Sequence, residues 1–175
     1  EHLLVQHLTS FYDVGEHGEI RLRGADWNDA IDMASKRGES VAFTAAYAGN
    51  LWNLAELLIA YEKRTGQQEC SILKELFLLL PEDTTIYDDI QGKKTLLKEF
   101  FATTAHQVSG EKETISIDAL AEKLRTMSAF MKENIRKNEW VGNEDGMHWY
   151  NGYYDDNGRK VEGVVENNVR MMLTS

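Results

Sequence analysis

Two carboxylates flank a tryptophan and an asparagine in the run Gly24-Ala25-Asp26-Trp27-Asn28-Asp29. An Asp donates or accepts a proton according to how its surroundings set its pKa. A Trp offers a flat apolar face on which a sugar ring can stack. An acid beside an aromatic face is therefore suited to chemistry on a carbohydrate. The same residue types also suit a plain turn, with Asp26 and Asn28 as turn or N-cap residues and Trp27 in the core. On spacing alone both readings stand.

Composition narrows the partners. The chain has 175 residues, enough for one ordinary domain, and a formal net charge of -10. This balance argues against nucleic acid, whose binding needs clustered Lys and Arg. The pairs Lys93-Lys94 and Arg136-Lys137 are short and read as solvated helix surface. Cys70 is the single cysteine, so no intramolecular disulfide can form, which suits a reducing, cytoplasmic compartment. It reads as a buried or half-buried helix residue rather than a reactive thiol. No apolar run is long enough to span a membrane, since Lys74 and Glu75 interrupt the richest one, and the start lacks a signal peptide. His2 and His7 are too few and too ill-spaced for a metal site. Asp155-Asp156-Asn157 lacks the downstream Gly and Glu of a calcium loop.

The elements that must position the acidic run are mostly helical, as the single proline, Pro81, also suggests. His2 to Tyr12 reads as the end of a helix, with Leu3, Leu4, Leu8 and Phe11 at helical spacing. Gly15 to Gly18 is a turn, and Ile20 to Leu22 an extended entry to the acidic run. Arg21 and Arg23 are either counter-charges to Asp26 and Asp29 or solvent-facing. Ala30 to Ala34 reads as a turn of helix. Gly38-Glu39-Ser40 then opens the strongest helix, Val41 to Tyr61, with Ser40 as N-cap and Glu39 against the positive end of the dipole. That helix is apolar nearly all round, which predicts burial on most sides.

Ser71 to Leu80 reads as a helix closed by Pro81, followed by an acidic linker from Glu82 to Asp89. Lys94 to His106 is helical, and Val108 to Thr114 a surface loop. Ile117 to Lys137 is a clean amphipathic helix with a stripe of Ile117, Leu120, Leu124, Met127, Met131 and Ile135; the two methionines read as core. Met147 to Tyr154 is β-prone. Asp155-Asp156-Asn157-Gly158 predicts a type I′ hairpin turn, returning through Arg159 to Val165.

Three stretches carry a resemblance. Ile20 to Asp29, followed by Arg37-Gly38-Glu39-Ser40-Val41 at the head of a helix, resembles the inverting β-glucoside phosphorylases, that is, the cellobiose, chitobiose and related β-glucan phosphorylases. Trp149-Tyr150-Asn151-Gly152-Tyr153-Tyr154-Asp155-Asp156-Asn157-Gly158 resembles their aromatic hairpin, and Val169 to Leu173 falls where a family helix begins. The Asp-Trp-Asn-Asp block joined to Gly-Glu-Ser is quite specific; the hairpin alone is weak. The likeness covers roughly residues 1–65 and 117–175, and 66–116 reads as a subgroup insertion.

The resemblance implies a mainly α fold, with the chain forming part of one (α/α)6-barrel catalytic domain. It implies that Asp29, the second Asp of the block, is the general acid, and that Trp27 lines the site of the transferred sugar. Asp26 and Asn28 are then loop-shaping residues and Glu39 a structural cap. The substrates implied are a β-linked oligosaccharide and inorganic phosphate, with no metal or other cofactor, and the family often forms homodimers. A hydrolase on the same barrel would add a base carboxylate about 6.5–9.5 Å from the acid to activate water. A phosphorylase needs none, since phosphate is already an anionic nucleophile. The remaining alternatives are a non-catalytic helical module that binds sugars or proteins, and a purely structural helical piece of a larger assembly with no site of its own. The start at Glu1-His2, in what reads as mid-helix, and the end at Thr174-Ser175 suggest a piece of a longer protein, expected to be inactive alone because the family's phosphate-binding residues lie further on.

Overall fold

The computed structural model describes residues 1–23 and 34–161. The described chain is mainly α, with small antiparallel sheets, and divides into two compact units. One comprises Glu1–Asp13 and Tyr47–Phe130; the other comprises Val14–Ala46 and Met131–Ser175.

The first unit begins with α1, His2–Tyr12, which buries Leu4, His7, Leu8, Phe11 and Tyr12. Of the apolar residues read from the sequence, Leu4, Leu8 and Phe11 form the buried face, while Leu3 is exposed. α2, Val41–Thr65, contributes its part from Tyr47 onward. Here the expected all-round burial does not hold: Ala48, Leu51 and Ala55 form one buried stripe, while Trp52 and Tyr61 are exposed and Leu57 is 59% exposed. Two alanines in the stripe admit close neighbours, while several bulky residues, Trp52, Leu57 and Tyr61, point outward.

The expected helix at Ser71–Leu80 is instead strand β3, Glu69–Leu73, followed by a 3-10 turn at Lys74–Leu79. The expected loop at Val108–Thr114 gives way to strand β4, Lys112–Ser116. The two strands pair antiparallel, Cys70 opposite Ile115 and Ile72 opposite Glu113. The ladder continues through Ile117 N–H to the Gln68 carbonyl at 2.9 Å and Lys74 N–H to the Glu111 carbonyl at 3.0 Å. Cross-strand pairing overrides the helical period here. Cys70 is therefore a half-buried strand residue rather than a helical one, and burial pushes its thiol up.

The linker holds a second 3-10 turn, Thr84–Tyr87, capped by Asp83. α3, Ile90–Thr104, starts earlier than its apolar spacing suggests because Asp89 accepts from Gly92 N–H at 2.9 Å. The core of this unit gathers Phe11, Tyr87 and Phe130 edge to face, with the Lys93 ammonium 4.0 Å from the Phe11 ring centre. α4, Ile117–Asn138, buries Ile117, Leu120, Leu124 and Met127 in this unit, as its period predicts.

The second unit holds a three-stranded antiparallel sheet in the order β1, β2, β7. These strands are Ile20–Arg21, Glu39–Ser40 and Tyr153–Tyr154. Ile20 pairs with Ser40, Arg21 with Glu39, Glu39 with Tyr154 and Ser40 with Tyr153. Apolar residues on either side complete two small cores: Leu22, Ala34 and Tyr153 in one; Val41, Ile135 and Tyr154 in the other. Met131, the other stripe methionine, is also buried.

The aromatic run is not one strand. β6, His148–Tyr150, turns back on β5, Trp140–Gly142, and the chain breaks at Asn151-Gly152 before β7. The turn after β7 is a hairpin turn, as expected, but not type I′. Asp155 O accepts from Gly158 N–H at 2.9 Å, Asp155 N–H donates to Arg159 O, and only Gly158 takes positive φ, +72°. This is a type I turn closed by a glycine bulge. Asn157 takes the negative φ of a type I turn, and the Asp155 carboxylate accepts its N–H at 2.8 Å. Of the expected returning strand only a bridge, Lys160 to Tyr154, falls among the described residues.

Candidate functional site

Asp26, Trp27, Asn28 and Asp29 lie outside the described residues, as do Ala30 to Met33 and the family-like stretch Val169 to Leu173. The structure does show the base from which the acidic run departs. β1 and β2 are antiparallel, and Leu22 N–H continues their pairing to the Gly38 carbonyl at 2.9 Å. Gly38 N–H then donates to Ala34 O at 2.8 Å. The two ends of the 24–33 segment are thus clamped through one residue, Gly38. Arg21 adds a side-chain tie to the Lys36 carbonyl at 2.8 Å, so its role is to close the base. Arg23, at the point of departure, has φ of +56°, uncommon for a residue with a Cβ.

The Gly-Glu-Ser block divides its labour. Ser40 Oγ accepts from Phe43 N–H at 3.0 Å, the N-cap predicted for it. Glu39 does not face the helix dipole as expected. Its side chain is fully buried and turns the other way, into the 15–19 turn. Oε1 accepts from Glu16 N–H at 2.9 Å and Oε2 from Glu19 N–H at 3.0 Å; His17 N–H reaches both oxygens at 3.1 Å. His17 Nδ1 adds a contact of 2.8 Å to Oε1, and its ring stacks on Tyr154 with centres 3.7 Å apart. The turn leaves three backbone donors without strand partners, and one buried carboxylate satisfies them. Gly15 is required by this arrangement: a Cβ there would lie 2.1 Å from the Glu39 carboxyl carbon.

The hairpin after β7 grips the same base. Asp156 Oδ1 accepts from Lys36 N–H at 3.0 Å and Arg37 N–H at 2.7 Å, and Arg37 holds Glu16 through two hydrogen bonds. Two further glutamates are buried nearby. Glu139 accepts from Tyr154 OH at 2.7 Å and Asn151 Nδ2 at 2.9 Å, with Lys160 Nζ at 3.5 Å. Burial and the adjoining Glu139 carboxylate hold the Tyr154 hydroxyl far above its ordinary range. Glu19 accepts from Asn134 Nδ2 at 2.7 Å, and burial, followed by the Glu139 and Glu39 charges, pushes its carboxyl up to about 8.

Sequence reasoning missed Glu19, Glu139 and Asp156 as parts of this base. Glu139 carried a signal: an acid just past the C-terminal end of a helix opposes the dipole and asks for a local partner. Asp156 was read only as a turn residue. Glu19 carried none, because burial of a lone acid is decided by tertiary packing. Among the described residues, no group of three or more His, Cys, Asp and Glu side chains is arranged to hold a metal ion, and no helix is long and apolar enough to cross a membrane. No protein-family model matches the chain, and no curated protein matches it.

Proposed function

We propose that this chain is part of the catalytic domain of an inverting β-glucoside phosphorylase, built on an (α/α)6 barrel and working in the cytoplasm. One observation supports the reading above others. Of the stretches that resemble that family, the described parts of Ile20–Asp29, Arg37–Val41 and Trp149–Gly158 meet in one sheet, β1-β2-β7 with its hairpin, although the last lies more than a hundred residues from the others. Each holds the base of the segment that carries Asp29.

On this reading Asp29 gives its proton to the glycosidic oxygen, which is a poor leaving group until protonated. Phosphate attacks the anomeric carbon from the opposite face. The carbon–phosphate-oxygen bond forms as the glycosidic bond breaks, and β becomes α. The products are α-glucose 1-phosphate and a sugar shortened by one unit. Trp27 lines the site of the transferred glucosyl ring. The reverse direction is glycosyl transfer. The substrates are a β-linked gluco-oligosaccharide and inorganic phosphate; the working form is a homodimer.

The test incubates the protein that contains this chain with a panel of β-linked gluco-oligosaccharides, with and without phosphate, and measures glucose 1-phosphate. Phosphate-dependent product that vanishes in Asp29→Asn is the expected result. Free glucose released equally without phosphate would mean a hydrolase and sink the proposal.

A further inference from the structure

Three glutamates in the second unit, Glu19, Glu39 and Glu139, are each 0% exposed. Buried carboxylates persist where donors stabilise the negative charge. The donors here are shared unequally. Glu39 is met by three backbone N–H groups and the His17 ring. Glu139 is met by the Tyr154 hydroxyl, the Asn151 amide and the Lys160 ammonium. Glu19 receives the Asn134 amide on Oε1 and is stabilised by the nearby Thr44 hydroxyl, but no backbone N–H or cation is shown on it, and its Oε2 has no hydrogen-bond partner among the described residues.

Among the described residues, the charges that act on Glu19 are those of two other acids. Glu39 faces Glu19 from β2, Glu139 from the end of α4, and the Tyr154 hydroxyl from β7. Thr44, on α2, spends its hydroxyl between Ile20 N–H and the Ser40 carbonyl. His17 is held by Glu39 and Lys160 by Glu139. We propose that Glu19 keeps a proton in the folded chain at neutral pH and acts as a proton-dependent latch where the 15–19 turn joins β1 and β2. A proton removes a buried negative charge from beside two other buried carboxyls.

The latch has mechanical purchase. Glu19 immediately precedes β1, its carbonyl accepts from Gly15 N–H at 2.9 Å, and its own N–H is one of the donors on Glu39. Ionising it sets a second negative charge beside the carboxylate that ties the 15–19 turn to β2. The raised value of about 8 agrees with the donor count, with burial as its main cause. Its sign is definite. The folded value lies above the ordinary 4.5, so the stability the proton confers is full below about 4.5 and is lost as pH rises to about 8. Across that window one proton is released on unfolding, so the unfolding equilibrium constant rises about tenfold per pH unit. The inference does not rest on the sugar chemistry above.

The test is infrared spectroscopy of the unmodified chain carrying isotope-labelled glutamate, with urea unfolding at pH 5 to 9. A protonated carboxyl band at pH 7 that disappears as pH passes about 8 is expected. Glu19→Gln, which mimics the neutral acid, should lack that band and lose the one-proton slope of stability against pH. Absence of any protonated carboxyl at pH 7, or a slope unchanged in Glu19→Gln, would overturn the proposal. The infrared result decides even if the variant fails to fold.

Discussion

Replacing Glu39 by Gln changes one oxygen into an N–H2 group in a site built only of donors. If the amide oxygen keeps the Oε1 position, the bonds from Glu16 N–H, His17 N–H and His17 Nδ1 survive as neutral ones. Each such bond weakens by about 1 kcal/mol on losing charge assistance. The new N–H2 then confronts Glu19 N–H, which loses its acceptor. An orphaned buried donor costs about 1–3 kcal/mol. One effect offsets this: the Glu39 charge is among the causes that raise Glu19, so removing it eases that neighbour. The net expectation is a loss of about 3 kcal/mol, or roughly 6–12 °C in Tm for a chain of this size. Reversible urea unfolding followed by circular dichroism measures it. Glu16→Gln is the control, since its pair with Arg37 is exposed and should be worth less than about 1 kcal/mol. A Glu39→Gln variant within about 0.5 kcal/mol of the parent would refute the reading of Glu39 as the acceptor that organises the turn.

Gly15→Ala forces a methyl to 2.1 Å from the Glu39 carboxyl carbon, which its own hydrogen bonds hold in place. It should cost more than about 2 kcal/mol in the same unfolding assay. Gly49→Ala, inside α2 with nothing within 4 Å of the new Cβ, should instead stabilise by about 0.5–1 kcal/mol, seen as a higher Tm. Asp156→Ala frees the Lys36 and Arg37 amides; hydrogen exchange at those two positions should quicken, with a stability loss of about 1 kcal/mol.

Local features were legible and long-range ones were not. α1 and α4 follow their 3.6-residue period closely, because one stripe of each meets a core. The Ser40 cap and the Gly158 turn were also readable, since each depends on residues within four of itself. The β3–β4 hairpin was not readable. Its strands lie about forty residues apart, and Ser71 to Leu80 has a period that suits a helix until a partner strand arrives. α2 misled by composition: its large apolar residues were counted, whereas Ala48 and Ala55 do the close packing. The acid and aromatic of the candidate site, Asp29 and Trp27, were legible as types in a motif. Both lie outside the described residues. The buried acids of the base, Glu19 and Glu139, were not legible, because spacing does not report burial.

The Gly38-Glu39-Ser40 block illustrates why a specific motif need not be a chemical one. Gly38 joins the two ends of the acidic segment through its N–H and C=O. Glu39 satisfies the donors of the preceding turn, and Ser40 starts α2. Each residue type follows from a backbone requirement, and none needs a substrate to explain it. The block is therefore explained by how it anchors the two ends of the 24–33 segment, and its presence does not make Glu39 a participant in bond breaking. The two roles separate cleanly in experiment. On the phosphorylase proposal, Asp29→Asn in the protein that contains this chain should remove turnover, while Glu39→Gln should lower stability first. A Glu39→Gln protein that stayed as stable as the parent yet lost all turnover would contradict this division and move Glu39 into the chemistry.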